Sequence, residues 1–293
     1  MRCRWLSPLV LLAQAVARLP QRALLAMAGV LSLLLWPVLG RRRRIAAINL
    51  ALCFPELSAA QRKQLLRANQ RATVMGALEL IRAWYAPSSA LAGLADIEGL
   101  PRLQAALDAG HGVLLFTGHF THTELAVRLL SEALGRPIGG VVRRNNSPCL
   151  EATFAAARAR VFGTTLEKKD MRGLLHALRN GEIMAYSADQ NFSYLHVFVP
   201  FFGVAAATLG NTPDLVRRGR AQMLPFFFHR GGDGRYQLRI EATWPAWADA
   251  DPEHAAMIYM RELAAVVRQH PEQYLWVHRR FKTRPPGELP IYE

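Results

Sequence analysis

The fold of this chain is decided by one stretch, LLFTGHFTHTE, at residues 114–124. It overlaps an apolar run from Gly112 to Phe116, which is bounded by glycines and is typical of a buried strand. Leucines and alanines at helical spacing follow from residue 125. We therefore expect His119 where a strand ends and a helix begins, the place where α/β sheets bind ligands. Glu124 should lie in the first helical turn, with its carboxylate turned back toward the imidazole.

After this stretch, short apolar segments typical of strands alternate with segments that have helical spacing. Strands are expected at residues 138–142, 183–187 and 223–228, and helices at residues 148–162 and 171–179. Such alternation is typical of an α/β protein with a sheet flanked by helices.

Length and charge limit the possible partners. The chain has 293 residues, enough for one large domain or for one domain with an appendage. Its 36 Lys and Arg residues exceed 22 Asp and Glu residues, which gives a formal net charge of +14. This excess predicts an anionic partner: nucleic acid, an acidic membrane surface or a phosphorylated substrate.

The N-terminal segment has an apolar stretch without charge at residues 23–40, followed by four arginines at 41–44. Eighteen residues are near the lower limit for a membrane-spanning helix. The positive-inside rule would keep the arginines, and everything after them, on the cytoplasmic side. We expect residues 1–40 to form a hydrophobic helical membrane anchor and residues 41–293 to form the main domain. The alternative is a buried helical hairpin followed by a solvated run of charge.

His119 and Glu124 form a candidate catalytic pair. A carboxylate that holds an imidazole fixes its tautomer, so that the histidine acts as a general base. The chain has no Gly-x-Ser-x-Gly elbow and no cysteine near a histidine, which argues against a covalent hydrolase. A histidine that only satisfies a backbone group is the alternative, and the spacing alone does not decide between them.

A metal site is the second hypothesis for this stretch, because His119, His122 and Glu124 read H-x-x-H-x-E. The pattern lacks the helical His-Glu-x-x-His spacing of zinc proteases, and no second cluster of ligands follows downstream. We therefore expect no metal, and we expect His122 in the wall of the pocket.

Three further segments are ambiguous when each is taken singly. Arg143 and Arg144 follow a predicted strand, where they would clamp a phosphate or form a solvated basic pair. Asp189 and Gln190, also after a predicted strand, are equally ambiguous. Residues 197–202 would line a pocket for an alkyl chain or belong to the core.

Taken together, these segments carry a resemblance. They occur in the order His-x-x-x-x-Glu at 119–124, Val-Val-Arg-Arg-Asn-Asn-x-Pro at 141–148, Ala-Asp-Gln at 188–190, Val-Phe-Val-Pro-Phe-Phe-Gly at 197–203 and Trp-Val-His-Arg-Arg-Phe-Lys-Thr-Arg-Pro at 276–285. This ordered set resembles the bacterial lipid A late acyltransferases, the lauroyl/myristoyl enzymes of the lysophospholipid acyltransferase superfamily. The resemblance extends from about residue 40 to the C-terminus.

The resemblance implies a central mixed sheet and an acyl-transfer reaction. The donor would be acyl carrier protein, and the acceptor a hydroxyl of a lipid A precursor, an acylated and phosphorylated glucosamine disaccharide. The reaction would take place at the inner (cytoplasmic) membrane, on its cytoplasmic side. It would need no cofactor beyond the acyl carrier protein thioester as co-substrate, and no nucleic acid.

The resemblance also implies residue roles. His119 would be the general base and Glu124 its orienting carboxylate, while Arg143 would hold an acceptor phosphate or stabilise developing charge. Asp189 and Gln190 would shape the acceptor pocket. The other substrate-binding residues expected are Phe120, Arg144, Asn145 and Asn191, and further basic residues for the two phosphates are Arg279, Arg280 and Lys282.

The chain departs from the resembled pattern in two places. Residues 191–196 replace a loop that usually contains glycine or proline, and residues 209–220 differ from the usual small-residue helix. Both changes leave room for a paralogue that acylates another lipid, such as an ornithine lipid or a polyene glycolipid. A non-enzymatic, membrane-bound protein that binds anions or nucleic acid is the alternative from another class.

Overall fold

The central element is a mixed β-sheet. The structure, a computed structural model, describes residues 6–292. In this range the sheet has seven strands in the order β1-β9-β8-β2-β5-β3-β4. They are β1 Ala95–Glu98, β2 Gly112–Thr117, β3 Gly139–Val142, β4 Thr165–Glu167, β5 Ile183–Ser187, β8 Ala221–Arg230 and β9 Tyr236–Ile240. An antiparallel hairpin, β6 His196–Phe201 and β7 Val204–Leu209, lies outside this sheet.

Strand β2 occupies the middle of the sheet. It runs parallel to β5 on one side and to β8 on the other, and all six of its residues are buried. Strands β3 and β4 continue the parallel part, whereas β9 is antiparallel to β8. The predicted α/β class with a central mixed sheet is therefore confirmed.

Helices flank the sheet. Those after the N-terminal region are α4 Ala59–Tyr85, α5 Leu100–Asp108, α6 Thr123–Leu134, α7 Pro148–Arg158, α8 Met171–Arg179, α9 Thr212–Gly219 and α10 Pro252–Gln269. The longest, α4, begins with a capping box in which Ser58 and Gln61 satisfy each other's backbone N–H groups. Its buried face packs behind the loop that joins β2 to α6.

From residue 6 onward, the N-terminal region consists of three helices: α1 Ser7–Ala17, α2 Gln21–Leu34 and α3 Gly40–Cys53. The apolar stretch 23–40 is not one helix, because α2 ends at Leu34 and the chain turns before α3 begins. Within residues 6–292, no helix combines the length and the apolar character needed to cross a bilayer. The first five residues of the predicted anchor lie outside the described residues, and the predicted boundary at residue 40 stays a prediction.

Helix α2 is attached to the main domain by its buried side. Leu24 and Ala28 pack against Met75 and Leu78 of α4. Gln21, at the start of α2, donates to the hydroxyl of Tyr236 in β9 at 3.0 Å. Helix α2 therefore shares a small apolar cluster with α4, and the Gln21–Tyr236 hydrogen bond links it to the sheet.

Candidate active site

His119 lies between the end of β2 at Thr117 and the start of α6 at Thr123, as predicted. Its Nδ1 is 2.6 Å from Oδ1 of Asp189, and its backbone N–H donates to Oδ2 of the same carboxylate at 2.9 Å. Asp189 follows the end of β5. Because β2 and β5 are parallel neighbours, their carboxyl ends bring the two side chains together.

Asp189 is a buried acceptor. Its side chain is 1% exposed, and the hydroxyl of Tyr274 donates to Oδ2 at 2.7 Å. Burial opposes its charge, but the His119 imidazole, the His119 backbone N–H and the Tyr274 hydroxyl hold its pKa well below the usual range. The ionised carboxylate accepts a hydrogen bond from Nδ1–H, which leaves Nε2 of a neutral His119 without a proton.

Among the hydrogen bonds and ion pairs of residues 6–292, Glu124 has none with His119, in contrast to the predicted pairing. Its carboxylate accepts a hydrogen bond from Nε1 of Trp84 at 2.5 Å and lies 3.3 Å from a guanidinium nitrogen of Arg158. From the first turn of α6 it faces the donors of α4 and α7, which satisfy its charge. The carboxylate that orients the imidazole is Asp189. A catalytic part for Glu124 stays a prediction.

A cavity of about 560 Å³ opens beside His119. The predicted site residues that line it are His119, Glu124, Arg143, Gln190 and Asn191. Two further cations, Arg158 and Lys168, lie in its wall. Its apolar lining includes Val127, Val141 and Phe162. The cavity therefore combines a base, positive charge and apolar surface.

Three predicted binding residues lie elsewhere. Phe120 is buried against Phe228 and Tyr274, and it lines a separate, smaller cavity. Arg144 is exposed and lies 3.6 Å from the carboxylate of Glu167. Asn145 organises a turn: its backbone N–H donates to Glu151 and its side-chain oxygen accepts from the backbone N–H of Ser147. None of these three side chains lines the cavity beside His119; each contacts a neighbour outside it.

His122 belongs to the core and not to the cavity wall, which corrects the expectation for it. It is 2% exposed and its ring contacts the rings of Phe228 and Tyr236. Burial, followed by the positive charge of Arg230, lowers its pKa well below the usual value. The three side chains of the H-x-x-H-x-E pattern therefore do not point to one site. His119, His122 and Glu124 each contact different neighbours.

The segment at residues 273–278 completes the site, and its contacts were not predicted. Phe120 and Tyr274 form an isolated antiparallel bridge, and the backbone N–H of Leu275 donates to the carbonyl of His119 at 3.0 Å. The backbone N–H of Asn191 donates to Nε2 of His278 at 3.1 Å. Burial lowers the pKa of His278 to about 4, so that this ring is neutral at neutral pH.

Two buried asparagines hold this segment in place. Asn69 of α4 donates to the carbonyls of Glu272 and Tyr274 at 2.8 and 2.9 Å. Asn49 of α3 donates to the carbonyls of Trp276 and His278 at 2.7 and 2.8 Å. A polar residue on the buried face of a helix is the only signal that the sequence offers for such a role.

One basic residue near the C-terminus and one aromatic residue of segment 197–202 belong to the buried core. Arg280 is 2% exposed and donates to the carbonyl of Ala207 at 2.7 Å, so it does not bind a phosphate as expected. Phe201 is fully buried among aromatic rings that include Tyr274 and Trp276. Residues 197–202 are expected either to line a pocket for an alkyl chain or to belong to the core. Phe201 belongs to the core.

A histidine held by a carboxylate, beside a cavity that is part cationic and part apolar, suits an enzyme of the acyl-transferring class. The chain belongs to the family described as bacterial lipid A biosynthesis acyltransferase, whose sequence profile matches residues 2–283. It is therefore an acyltransferase, and the alternative of a non-enzymatic binding protein is set aside.

Curated relatives support the same family. The chain is 34% identical over 259 residues to the lipid A biosynthesis palmitoleoyltransferase of Escherichia coli (strain K12), an alignment that covers 87% of this chain and 84% of the relative. It is 34% identical over 250 residues to the lauroyltransferase of the same organism, covering 84% and 81%. Identity to the myristoyltransferase is 26% over 258 residues, covering 86% and 78%.

Proposed function

We propose that this protein transfers a fatty acyl group from acyl carrier protein to a hydroxyl of a lipid A precursor, a phosphorylated and acylated glucosamine disaccharide. One observation carries the proposal: the His119–Asp189 pair lies at a cavity whose wall combines cations with apolar side chains. A phosphorylated lipid acceptor and a fatty acyl donor need both kinds of surface. The names of the relatives support the lipid A part of the proposal.

In the proposed mechanism His119 is the general base. Asp189 holds its Nδ1–H, and Nε2 removes the proton from the acceptor hydroxyl. The alkoxide oxygen attacks the thioester carbonyl, so that a C–O bond forms and the C–S bond breaks. The thiolate leaves and takes the proton from the imidazolium. No covalent acyl-enzyme is required, because the thioester is already activated.

The cations of the cavity are proposed to bind the acceptor's phosphate. Arg143, Arg158 and Lys168 all line the cavity, and Arg158 is held in place by Glu124 at 3.3 Å. A guanidinium group binds phosphate with two parallel hydrogen bonds, which fixes orientation as well as charge. In this proposal Glu124 acts through Arg158 as a positioning residue.

We also propose that the protein works at the cytoplasmic face of the inner membrane, where a soluble donor meets a lipid acceptor. Exposed apolar side chains on α1 and α2, followed by the arginines at 41–44, support a helical region that lies in the membrane interface. Acyl carrier protein is the partner proposed on the aqueous side.

The test is an acyl-transfer assay with the purified full chain, an acyl carrier protein thioester and the tetraacylated lipid A precursor. Mass spectrometry should show a pentaacylated product. His119→Ala should reduce the rate about 10²–10⁴-fold, the usual contribution of a positioned base. A variant within a few-fold of wild type would contradict the mechanism. Product with an ornithine lipid and none with the precursor would point to the paralogue instead.

A further inference from the structure

Small residues form the floor of the cavity. Gly140 of β3 is paired with Ala185 of β5 on one side and with Thr165 of β4 on the other. Residues paired across parallel strands point to the same face of a sheet, and all three line the cavity. At this register position the floor therefore carries no side chain larger than that of threonine.

Further apolar lining of the cavity comes from residues outside the sheet. Val127 of α6 and Phe162, just beyond α7, line the same cavity. Protein interiors are normally packed without voids larger than a water molecule. The whole cavity has a volume of about 560 Å³, in the range of small-molecule sites, so it marks a place for a ligand.

Position relative to the base indicates which part of the ligand lies there. Thr117 of β2 is paired with Ser187, two residues beyond Ala185 on the same strand. The Gly140–Ala185 floor is thus about 6–7 Å further from the carboxyl edge of the sheet than Ser187. A carbonyl carbon that reacts beside His119 would place its alkyl chain over this floor and against Val127 and Phe162.

Gly140 is the residue at which the floor can be raised. A Cβ atom there would meet only the Ala185 carbonyl oxygen at 3.6 Å and the Ala185 Cβ at 4.0 Å, which are ordinary contacts. At the adjacent Gly139, by contrast, a Cβ would lie 2.4 Å from the carbonyl oxygen of Thr164 and 2.6 Å from the Met184 sulfur. A side chain at residue 139 would collide with the neighbouring strands, so packing requires glycine there. A side chain at residue 140 would enter the cavity without such a collision.

We propose that Gly140, together with Ala185, sets the length of the acyl chain that the cavity accepts from the donor. A larger side chain at residue 140 raises the floor and shortens the chain that fits. The inference rests on the proposed function and names the specificity determinant of the same site.

The test measures chain binding separately from catalysis. S-alkyl pantetheine thioethers with chains of 8 to 16 carbons, which mimic the donor but cannot transfer an acyl group, are titrated calorimetrically into the full chain. Wild type should bind more tightly as the chain lengthens, up to a limit, and more weakly beyond it. Gly140→Leu should move this limit to a shorter chain. Each methylene that loses its apolar contact should cost about fourfold in affinity.

Two further variants make the test specific. Ala185→Val should shift the limit in the same direction as Gly140→Leu, and it serves as the second test if thermal melting shows that Gly140→Leu does not fold. Gly232→Leu adds an identical side chain in a turn, where a Cβ would meet nothing within 4 Å, and should leave the profile unchanged.

The outcomes separate the inference from the proposed function. An unchanged limit in folded Gly140→Leu and Ala185→Val, or no chain binding by wild type, overturns the inference. If Gly140→Leu weakens binding of the acceptor lipid but leaves binding of the thioethers unchanged, the floor contacts an acyl chain of the acceptor. That result also overturns the inference. A shifted limit without acyl transfer to the lipid A precursor supports the inference and contradicts the proposed function.

Discussion

Hydrogen bonds on three sides fix the position of His119. Asp189 holds Nδ1 and the backbone N–H, and the backbone N–H of Leu275 donates to the carbonyl. Asp189 is itself fixed by the hydroxyl of Tyr274. If His119 is the base, as proposed, a ring held in this way loses little orientational freedom when the substrate binds, and such preorganisation would contribute directly to the rate.

Substitution of the two candidate carboxylates should separate their roles. Asp189→Asn keeps the shape but removes the charge that stabilises the imidazolium, so we expect a loss of activity on the order of 10²–10⁴-fold. Glu124→Gln keeps an acceptor for Trp84 and weakens only the hold on Arg158. It should raise the KM for the acceptor more than it lowers kcat. Equal losses of kcat in the two variants would contradict this assignment.

A pH dependence of stability follows from His278. Its pKa is about 4 in the folded protein against an ordinary 6.5, so the unfolded chain binds the proton more readily. The free energy of unfolding should therefore fall as the pH is lowered from 6.5 toward 4, by roughly 2–3 kcal/mol from this group. His278→Asn should flatten the profile in this window, as measured by denaturant unfolding. A variant profile as steep as that of wild type would assign the effect to other groups.

At the scale of elements, α4 is the support of the active site. Gly76 lets the helix approach the loop after β2, since a Cβ at this position would lie 2.3 Å from the carbonyl oxygen of Thr121. About two helical turns before Gly76, on the same side of α4, Asn69 holds the segment that carries Tyr274. Helix α4 thus contacts both the loop that carries His119 and the segment whose Tyr274 donates to Asp189.

Gly76→Ala should disturb this contact. The added methyl group must push α4 and the loop apart, which we expect to cost about 1–3 kcal/mol and to lower activity by displacing His119. Thermal unfolding and the acyl-transfer rate check both parts. Gly40→Ala is the matched control, because a Cβ at Gly40 in α3 meets nothing within 4 Å. Equal stability and activity in the two variants would show that the loop adapts without cost.

At the scale of the whole molecule, the N-terminal helices carry exposed apolar side chains, and a run of arginines follows them in the sequence. Leu9, Leu11 and Leu12 of α1 and Leu33 and Leu34 of α2 are between 57% and 76% exposed. Isolated exposed apolar residues are ordinary, but five exposed leucines on two helices that both pack on α4 are consistent with the proposed membrane contact. The arginines at 41–44 follow directly, and basic residues near an anionic leaflet each add about 1 kcal/mol of attraction.

Replacing some of these exposed leucines should weaken membrane binding. The variant Leu9→Ser, Leu12→Ser, Leu33→Ser loses apolar side chains that would each contribute about 1.5–3 kcal/mol when buried in lipid. Its co-sedimentation with vesicles of 70% neutral and 30% anionic phospholipid should fall at least tenfold. Leu289→Ser, which changes a residue that is 84% exposed near the C-terminus, is the control. Unchanged co-sedimentation of the triple variant would exclude this membrane contact.

The sequence by itself determined the sheet and the place of the base. The apolar run before Gly118 is a buried strand, and His119 lies where that strand gives way to a helix. The same holds for Arg143 and Asp189, which follow β3 and β5 as predicted. These features are readable because apolar periodicity and chain order are local properties.

Only the tertiary structure decided which side chains meet. Asp189 is seventy residues from His119 along the chain, whereas Glu124 is close in sequence but turned toward Trp84 and Arg158. Spacing along the chain indicates the direction of a side chain only within one element. The partners of His119 depend on the pairing of β2 with β5 and on the docking of the segment around Tyr274. Those contacts are set by packing between distant parts of the chain, which local pattern does not encode.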